Sequence, residues 1–186
     1  MPVTAQHLYE QTLVVRSQLG DAVAFRELVD LYAPRLLAFV RRLMPRESSE
    51  HTEQDFSQEI WVAIYHGLPS LLDVSKFHPW AFRIARDRVY REFRRRKLPV
   101  EPLHEALEEE LPDSTEANCG VDIVQLQHCL ASLSVGHREV LMLRFFEEMD
   151  YEEIARVTST TLGTVRSRLH YAKRAMRRLL EQTSTL

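Results

Sequence analysis

Between Tyr151 and Leu169 the chain reads YEEIARVTSTTLGTVRSRL, and this stretch determines the fold expected for the second half of the protein. A short helix with Ile154 facing inward is predicted to end near Val157. The polar turn 158–160 follows. Thr161 is a good N-cap, because its hydroxyl can accept hydrogen bonds from the first unpaired N–H groups of the next helix. The pattern predicts a short helix, a tight turn and then a second helix.

The second of these helices is predicted to have an apolar side and a basic side. The apolar positions recur at helical spacing and comprise Val165, Leu169, Ala172 and Met176. The other side carries Thr164, Arg166, Ser167, His170, Lys173 and Arg174. This is the layout of a helix-turn-helix, in which the second helix enters the major groove of DNA. A solvated basic helix in an ordinary bundle is the alternative.

Helical periodicity also runs through the first half of the chain. Asp21 follows Gly20 and is predicted to cap a helix. Pro34 is predicted to open a further helix that Pro45 closes. Two more apolar stripes follow, and no stretch alternates with the period of a strand. The fold class is therefore all-α, with two helical domains over residues 1–97 and 121–186, joined by an acidic, flexible linker over residues 98–120.

Charge is distributed unevenly along the 186 residues, although the formal net charge is only −3. Residues 1–99 carry a net +3, residues 100–125 a net −8 and residues 126–186 a net +2. No apolar run approaches the roughly 20 residues that a membrane-spanning helix needs, so direct membrane insertion is not expected. The two cysteines do not make a disulfide framework, and a reducing cytoplasm is the simplest location.

Two further charged stretches are candidates for binding. Residues 83–97 contain eight basic side chains with interleaved aromatic rings, a composition that suits nucleic acid and equally suits a solvated helix. Residues 47–59 contain five acids and no Lys or Arg. Asp55 and Glu59 share a helix face at i and i+4. This stretch fits a docking face for a basic partner, and a plain solvated face remains the alternative.

Nothing in the sequence indicates catalysis or a cofactor. Cys119, Cys129, His104 and His128 match no tight zinc-binding spacing. A di-iron bundle needs two Glu-x-x-His pairs, and the single match, Glu101 to His104, lies in the linker. No phosphate loop or nucleophile elbow is found. We expect no catalytic, cofactor-binding or metal-binding residue and no enzyme activity.

Three segments together resemble the sigma factors of bacterial RNA polymerase, of the small two-domain extracytoplasmic-function (group IV) type. Asp55-Phe-Ser-Gln-Glu-Ile-Trp-Val62 is similar to the polymerase-binding helix of sigma region 2. Phe77-His-Pro-Trp-Ala-Phe-Arg-Ile-Ala-Arg86 is similar to the region 2 helix that melts the minus-ten element. The stretch 151–169 is similar to the region 4 helix-turn-helix that reads the minus-thirty-five element. The resemblance covers residues 20–97 and 124–181.

The resemblance implies a factor that binds core RNA polymerase, directs it to promoter DNA and promotes DNA opening, with an anti-sigma protein as a further partner. The residues implied in polymerase binding are Asp55, Gln58, Glu59 and Trp61. Those implied at the minus-ten element are Lys76, Phe77, Trp80, Arg83, Arg86, Arg88 and Arg91. Those implied at the minus-thirty-five element are the six polar side chains of the second helix of the helix-turn-helix.

Three positions depart from the family pattern. Asp87 replaces a common Asn, Arg91 replaces a common acid, and Ser159 replaces a glycine in the turn of the helix-turn-helix. Two other functions compete with the sigma factor. One is a stand-alone helix-turn-helix regulator whose N-terminal domain senses a signal, and the other is a carboxylate-bundle metalloenzyme. A need for polymerase in DNA binding separates the first from a sigma factor, and bound metal identifies the second.

Overall fold

The computed structural model describes residues 5–44, 53–97 and 123–183, and every regular element in these ranges is helical. Two short 3-10 turns, Leu68–Ser70 and Val74–Lys76, connect the third and fourth helices. The eight α-helices are α1 (Ala5–Gln18), α2 (Ala22–Leu43), α3 (Glu53–Gly67), α4 (Phe77–Arg95), α5 (Ile123–Ser132), α6 (Val135–Phe145), α7 (Tyr151–Thr158) and α8 (Leu162–Thr183).

Helix α2 begins where the sequence predicts and continues further than predicted. Gly20 adopts a positive φ of 88°, and the Asp21 carboxylate accepts hydrogen bonds from the N–H groups of Val23 and Ala24. The prediction that Pro34 opens a new helix is wrong, because Pro34 lies inside α2. Its ring is on the exposed side, so one buried stripe passes through this position: Leu28, Tyr32, Leu36, Phe39, Val40 and Leu43.

The apolar stripes predicted for the next two helices are confirmed. Phe56, Ile60 and Ile64 of α3 are buried, and α3 ends at Gly67 as expected. In α4, the buried stripe comprises Phe82, Ala85, Val89 and Phe93. Helices α2, α3 and α4 pack against one another, and α1 packs along α2. Edge-to-face contact between Phe39 and Phe82, with ring centroids 5.3 Å apart, joins α2 to α4.

The second group of helices forms around α8. Helices α5, α6 and α7 all pack against α8, and Ser134 caps the start of α6 through a hydrogen bond from the His137 N–H group. Phe145 lies four residues after Leu141, at an apolar helical spacing on α6, yet 56% of it is exposed. It lies at the last turn of the helix, where the chain leaves the packed face.

The two groups of helices are not separate bodies in this structure. Helix α4 packs against α7 and α2 packs against α6, so buried residues of both groups form one hydrophobic cluster. The prediction of an all-α fold with two helical regions is confirmed. The predicted linker, residues 98–120, lies outside the described residues. No helix of the described ranges combines the length and the apolar character needed to cross a membrane.

Candidate nucleic-acid interface

The turn of the helix-turn-helix is defined by caps on both sides. Asp150 and Glu153 form a capping box at the start of α7, since each side chain accepts from the backbone N–H group of the other. Thr158, expected in the turn, is the last residue of α7, and its buried hydroxyl donates to the Ile154 carbonyl. Ser159 then adopts a left-handed conformation with φ 54°. Serine therefore occupies the backbone conformation that glycine tolerates best.

Helix α8 has the orientation that the sequence predicts. The Thr161 hydroxyl accepts from the Thr164 N–H group at 3.1 Å, which confirms the N-cap. Val165, Leu169 and Ala172 are buried. Arg166 is therefore directed outward and is exposed, near the N-terminal end of the helix.

The other five candidate residues of α8 differ in their surroundings. Thr164 and Ser167 are half-buried, and the Ser167 hydroxyl donates to the Thr164 carbonyl at 3.1 Å. His170 is half-buried beside the ring of Tyr171. Lys173 and Arg174 are exposed, and the Lys173 Nζ lies 5.9 Å from the centroid of the Phe145 ring. The accessible basic side of α8 thus comprises Arg166 and, about two turns further along, Lys173 and Arg174.

The candidate residues of α4 divide into an exposed set and a packed set. Arg83 and Arg91 are exposed, and Lys76 is exposed just before the helix. Phe77 is only 2% exposed and packs edge-to-face on Tyr32, so its proposed contact with DNA does not fit this structure. Phe77 is buried because it belongs to the apolar stripe that packs in the core of the bundle.

The two remaining basic candidates of α4, and its tryptophan, have partners within the protein. Arg86 is turned away from solvent and its Nε donates to Glu139 of α6. Arg88 donates from Nη1 to Glu59 of α3 at 3.1 Å. Trp80 is half-buried against Gly67, where an added Cβ would lie 2.8 Å from Cζ2 of the indole. The basic character of α4 is thus partly neutralised in this arrangement.

The segment before α4 is a braced loop with an apolar tip. Leu72 is 99% exposed at this tip. On one side, the Gln18 side chain of α1 donates to the carbonyls of Leu68 and Leu71. On the other side, Asp73 accepts from both the hydroxyl and the backbone N–H group of Ser75, and these hydrogen bonds lower the pKa of Asp73. Leu72 opens the loop 72–77, which the family resemblance implies to be the base-capturing loop, and it therefore belongs with the candidate residues.

The candidate polymerase face on α3 is exposed at its polar positions. Asp55, Gln58 and Glu59 are all exposed and lie within about one turn of each other. Trp61 is half-buried, and its ring makes an edge-to-face contact with Phe25 at 5.9 Å. Because Glu59 also pairs with Arg88, the acidic face of α3 borders the basic face of α4.

Two buried carboxylates, both missed in the sequence, lie where the two groups of helices meet. Glu139 is fully buried, and burial raises its pKa while Arg86 opposes that shift. Burial likewise raises the pKa of Glu147, which pairs with Arg35 of α2. The Nε2 of His78 donates to the Glu147 carbonyl at 3.2 Å. The sequence offered one signal for Glu139, because a charged residue here stands next to Val140 among the apolar positions of α6.

Metal-binding chemistry has no support in the geometry of the described ranges. There, no group of three or more His, Cys, Asp or Glu side chains is placed to hold a metal ion. Cys129 is buried in α5. Two of the positions considered for zinc binding, Cys119 and His104, lie outside the described residues.

Comparison with known proteins gives consistent matches over both groups of helices. Residues 28–98 match the family description Sigma-70 region 2, and residues 123–176 match Sigma-70, region 4. The RNA polymerase sigma-H factor of Pseudomonas aeruginosa is 32% identical over 92% of this chain and 94% of its own length. The ECF RNA polymerase sigma-E factor of Escherichia coli is 29% identical over the same shares of the two chains.

Structural similarity agrees with the fold. The sigma factor RpoE of Bartonella quintana, solved in complex with the anti-sigma factor NepR, matches with a TM-score of 0.64 and 24% identity, over 84% of this chain and 96% of that one. The chain belongs to the sigma-70 family of RNA polymerase sigma factors, and within it to the extracytoplasmic-function type. The family resemblance read from the sequence is confirmed, and a stand-alone regulator is not favoured.

Proposed function

We propose that this sigma factor binds core RNA polymerase through the exposed acidic face of α3 and carries it to promoter DNA. The observation that carries the proposal is the exposure of Asp55, Gln58 and Glu59 on one side of a helix whose opposite side is buried. A basic helical surface on the polymerase would complement this charge. Trp61, half-buried at the edge of the same helix, would contribute apolar contact.

The promoter would be contacted by two separate surfaces. At the minus-ten element, Lys76, Arg83 and Arg91 are placed to reach phosphates, and the exposed Leu72 is placed to contact a base that has left the stack. Trp80, Arg86 and Arg88 would join them only after rearrangement. At the minus-thirty-five element, α8 would enter the major groove with Arg166 leading, since arginine can donate twice to guanine.

The remaining parts of the proposal concern partners and location. We place the domain boundaries at residues 1–97 and 121–186, with residues 98–120 as the connecting linker. An anti-sigma protein is a further partner, as it is for the structurally similar sigma factor of Bartonella quintana. The chain would act in the cytoplasm, where the polymerase is, and would carry no catalytic residue of its own.

A binding titration with core polymerase tests the acidic face. Asp55→Lys should weaken holoenzyme formation by at least tenfold, because it places a like charge against a basic partner, where juxtaposed like charges cost several kcal/mol. Asp30→Lys is the matched control, since Asp30 is an exposed acid on α2, outside the proposed face.

Glu59 is not the residue changed, because its replacement would also release Arg88. Circular dichroism should give the same helix content for the wild type and both variants. Equal affinity of the wild type and Asp55→Lys for core polymerase would contradict the assignment of this face.

A further inference from the structure

The outward face of α4 carries one acid among its basic side chains. Four charged residues recur at spacings of four, four and three positions, so they form one ridge along the helix. They are Arg83, Asp87, Arg91 and Arg94, and all four are exposed. Successive members are about 4.5–6 Å apart along the helix axis. The ridge therefore belongs to the exposed part of the proposed minus-ten surface.

Asp87 does not suit the task that its basic neighbours can perform. Arginine binds the phosphates of the DNA backbone through charge-assisted hydrogen bonds. A carboxylate next to the same phosphates is repelled by them and has no hydrogen-bond donor to offer. If the ridge bound the backbone alone, an acid in the middle of it would weaken binding at every sequence. The Asp87 carboxylate is better suited to the edge of a base.

The packing of α4 does not account for an acid at this position either. Within the described ranges the ion-pair partner of Asp87 is Arg86, with an Nη1 to Oδ1 distance of 3.6 Å, which is longer than a hydrogen bond. The short ion pair of Arg86 is with Glu139, at 2.7 Å. The Asp87 side chain is 55% exposed. It is therefore placed to meet a ligand from outside the fold.

A carboxylate distinguishes bases by their amino groups, because it accepts hydrogen bonds and donates none. It can accept from the N4 amino group of cytosine. Guanine presents the acceptors O6 and N7 on the same edge, thymine presents O4, and all of these oppose a carboxylate. Adenine presents its amino group beside the acceptor N7. Cytosine is the one base whose major-groove edge offers a carboxylate only a donor.

The residue type at this position determines which base is expected. An Asn, common here in the family pattern, can pair with adenine by accepting from N6 and donating to N7. Asp87 has a second acceptor oxygen in place of the amide NH2 group, on a side chain of the same length. The replacement removes the donor that adenine N7 requires and keeps the acceptor that cytosine N4 requires.

We propose that Asp87 is a specificity-determining residue that selects a cytosine in the minus-ten element, while Arg83 and Arg91 on either side of it bind the flanking phosphates. The inference rests on the proposed role of α4 at the promoter and deepens it by naming the base that this part of the helix selects. Cytosine should be preferred over guanine at this position by about tenfold, a ratio typical of one base contact.

Selection from a promoter library by the holoenzyme tests this assignment. The full chain is assembled with core polymerase and bound to DNA fragments whose minus-ten region is randomised, and the bound fragments are sequenced. The wild type should enrich cytosine at one position by about tenfold over guanine. Asp87→Glu, which keeps the carboxylate, should retain cytosine there. Asp87→Asn should switch the preferred base at that position to adenine, and Asp87→Ala should leave no preference.

Two controls separate base selection from a general effect of charge. Asp30→Asn removes an exposed carboxylate of α2, outside the ridge, and should leave the preferred base unchanged at every position. Arg91→Ala should weaken binding to all fragments and lower the salt slope by about one, with the preference for cytosine retained. Circular dichroism should give the same helix content for all variants, because the substituted side chains are exposed.

The outcomes distinguish this inference from the proposed function. If Asp87→Asn tightened binding to every fragment alike and kept the wild-type base preference, Asp87 would act only through its charge and the inference would be wrong. A wild-type minus-ten preference that no Asp87 variant altered would likewise overturn the inference and leave the proposed function standing. A wild-type holoenzyme that enriched no minus-ten sequence would overturn the proposed function, and the inference with it.

Discussion

Removing the Glu139 carboxylate should destabilise the chain more than any other single polar substitution at the interface. Glu139→Ala would leave the Arg86 guanidinium and the Tyr90 hydroxyl without their shared acceptor in a buried place. Breaking a buried pair by removing one partner costs about 3–5 kcal/mol. Tyr90→Phe removes one hydrogen bond to a charged group, which is worth about 1.5–3 kcal/mol. The destabilisation caused by Glu139→Gln, which keeps the shape of the side chain and removes its charge, should fall between these two values.

Urea unfolding followed by circular dichroism measures this series. The free energy of unfolding should decrease in the order Tyr90→Phe, Glu139→Gln, Glu139→Ala. Arg86→Met added to Glu139→Ala should cost little more, because the unpaired buried charge would be gone. The reasoning would be refuted if Glu139→Ala lowered the free energy of unfolding by less than about 1 kcal/mol. That is less than the typical cost of breaking one buried hydrogen bond. The carboxylate would then be accessible to water in solution.

Three further predictions concern the recognition helix, the interface histidine and the turn. Arg166→Ala should cost about 1–3 kcal/mol at the preferred upstream sequence and blur that preference in holoenzyme binding, whereas Lys173→Ala should weaken all sequences alike and reduce the salt slope by about one. Burial lowers the pKa of the His78 imidazole to about 4, from 6.5 in the unfolded chain. As the pH falls, the unfolded chain is therefore protonated at His78 before the folded chain, and the folded state loses stability. Between pH 7 and 5 the wild type should lose about 2 kcal/mol of stability relative to His78→Gln in urea unfolding. Ser159→Gly should stabilise the chain by about 1 kcal/mol, seen as a higher melting temperature, because glycine adopts a φ of 54° without strain.

Local signals predicted the start of helices and the buried faces well. Asp21 and Thr161 are N-caps as expected, because capping depends on neighbours within three residues. The inward direction of Val165 and Leu169 followed from helical spacing, and it determined that Arg166 faces solvent. These features depend on chemistry that lies close together in the sequence.

Features that depend on distant partners were not predictable in the same way. The sequence predicts a helix start at Pro34 because proline favours the first turn, but its place on the exposed side allows α2 to continue. Phe77 and Arg86 both stood in a basic, aromatic stretch that suits DNA, yet one lies in the core and the other binds Glu139. Their neighbours come from α2 and α6, which the local pattern cannot show.

The ion pair between Glu59 and Arg88 links two surfaces that the sequence suggested separately. It is half-exposed, so it contributes little to stability, as surface ion pairs typically are worth about 0–1 kcal/mol. Its interest lies in the proposed function, in which polymerase binding at Glu59 would release Arg88 on the promoter side. The two candidate sites are therefore adjacent on the first group of helices.

Transcription in vitro with core RNA polymerase and a library of genomic fragments tests the central claim most directly. If the chain is a sigma factor acting as described, transcripts should begin at a limited set of sites that share an upstream and a minus-ten element, and only when the chain is added. Tight, sequence-specific binding of the chain alone to DNA, with no stimulation of the core polymerase at any fragment, would contradict the account.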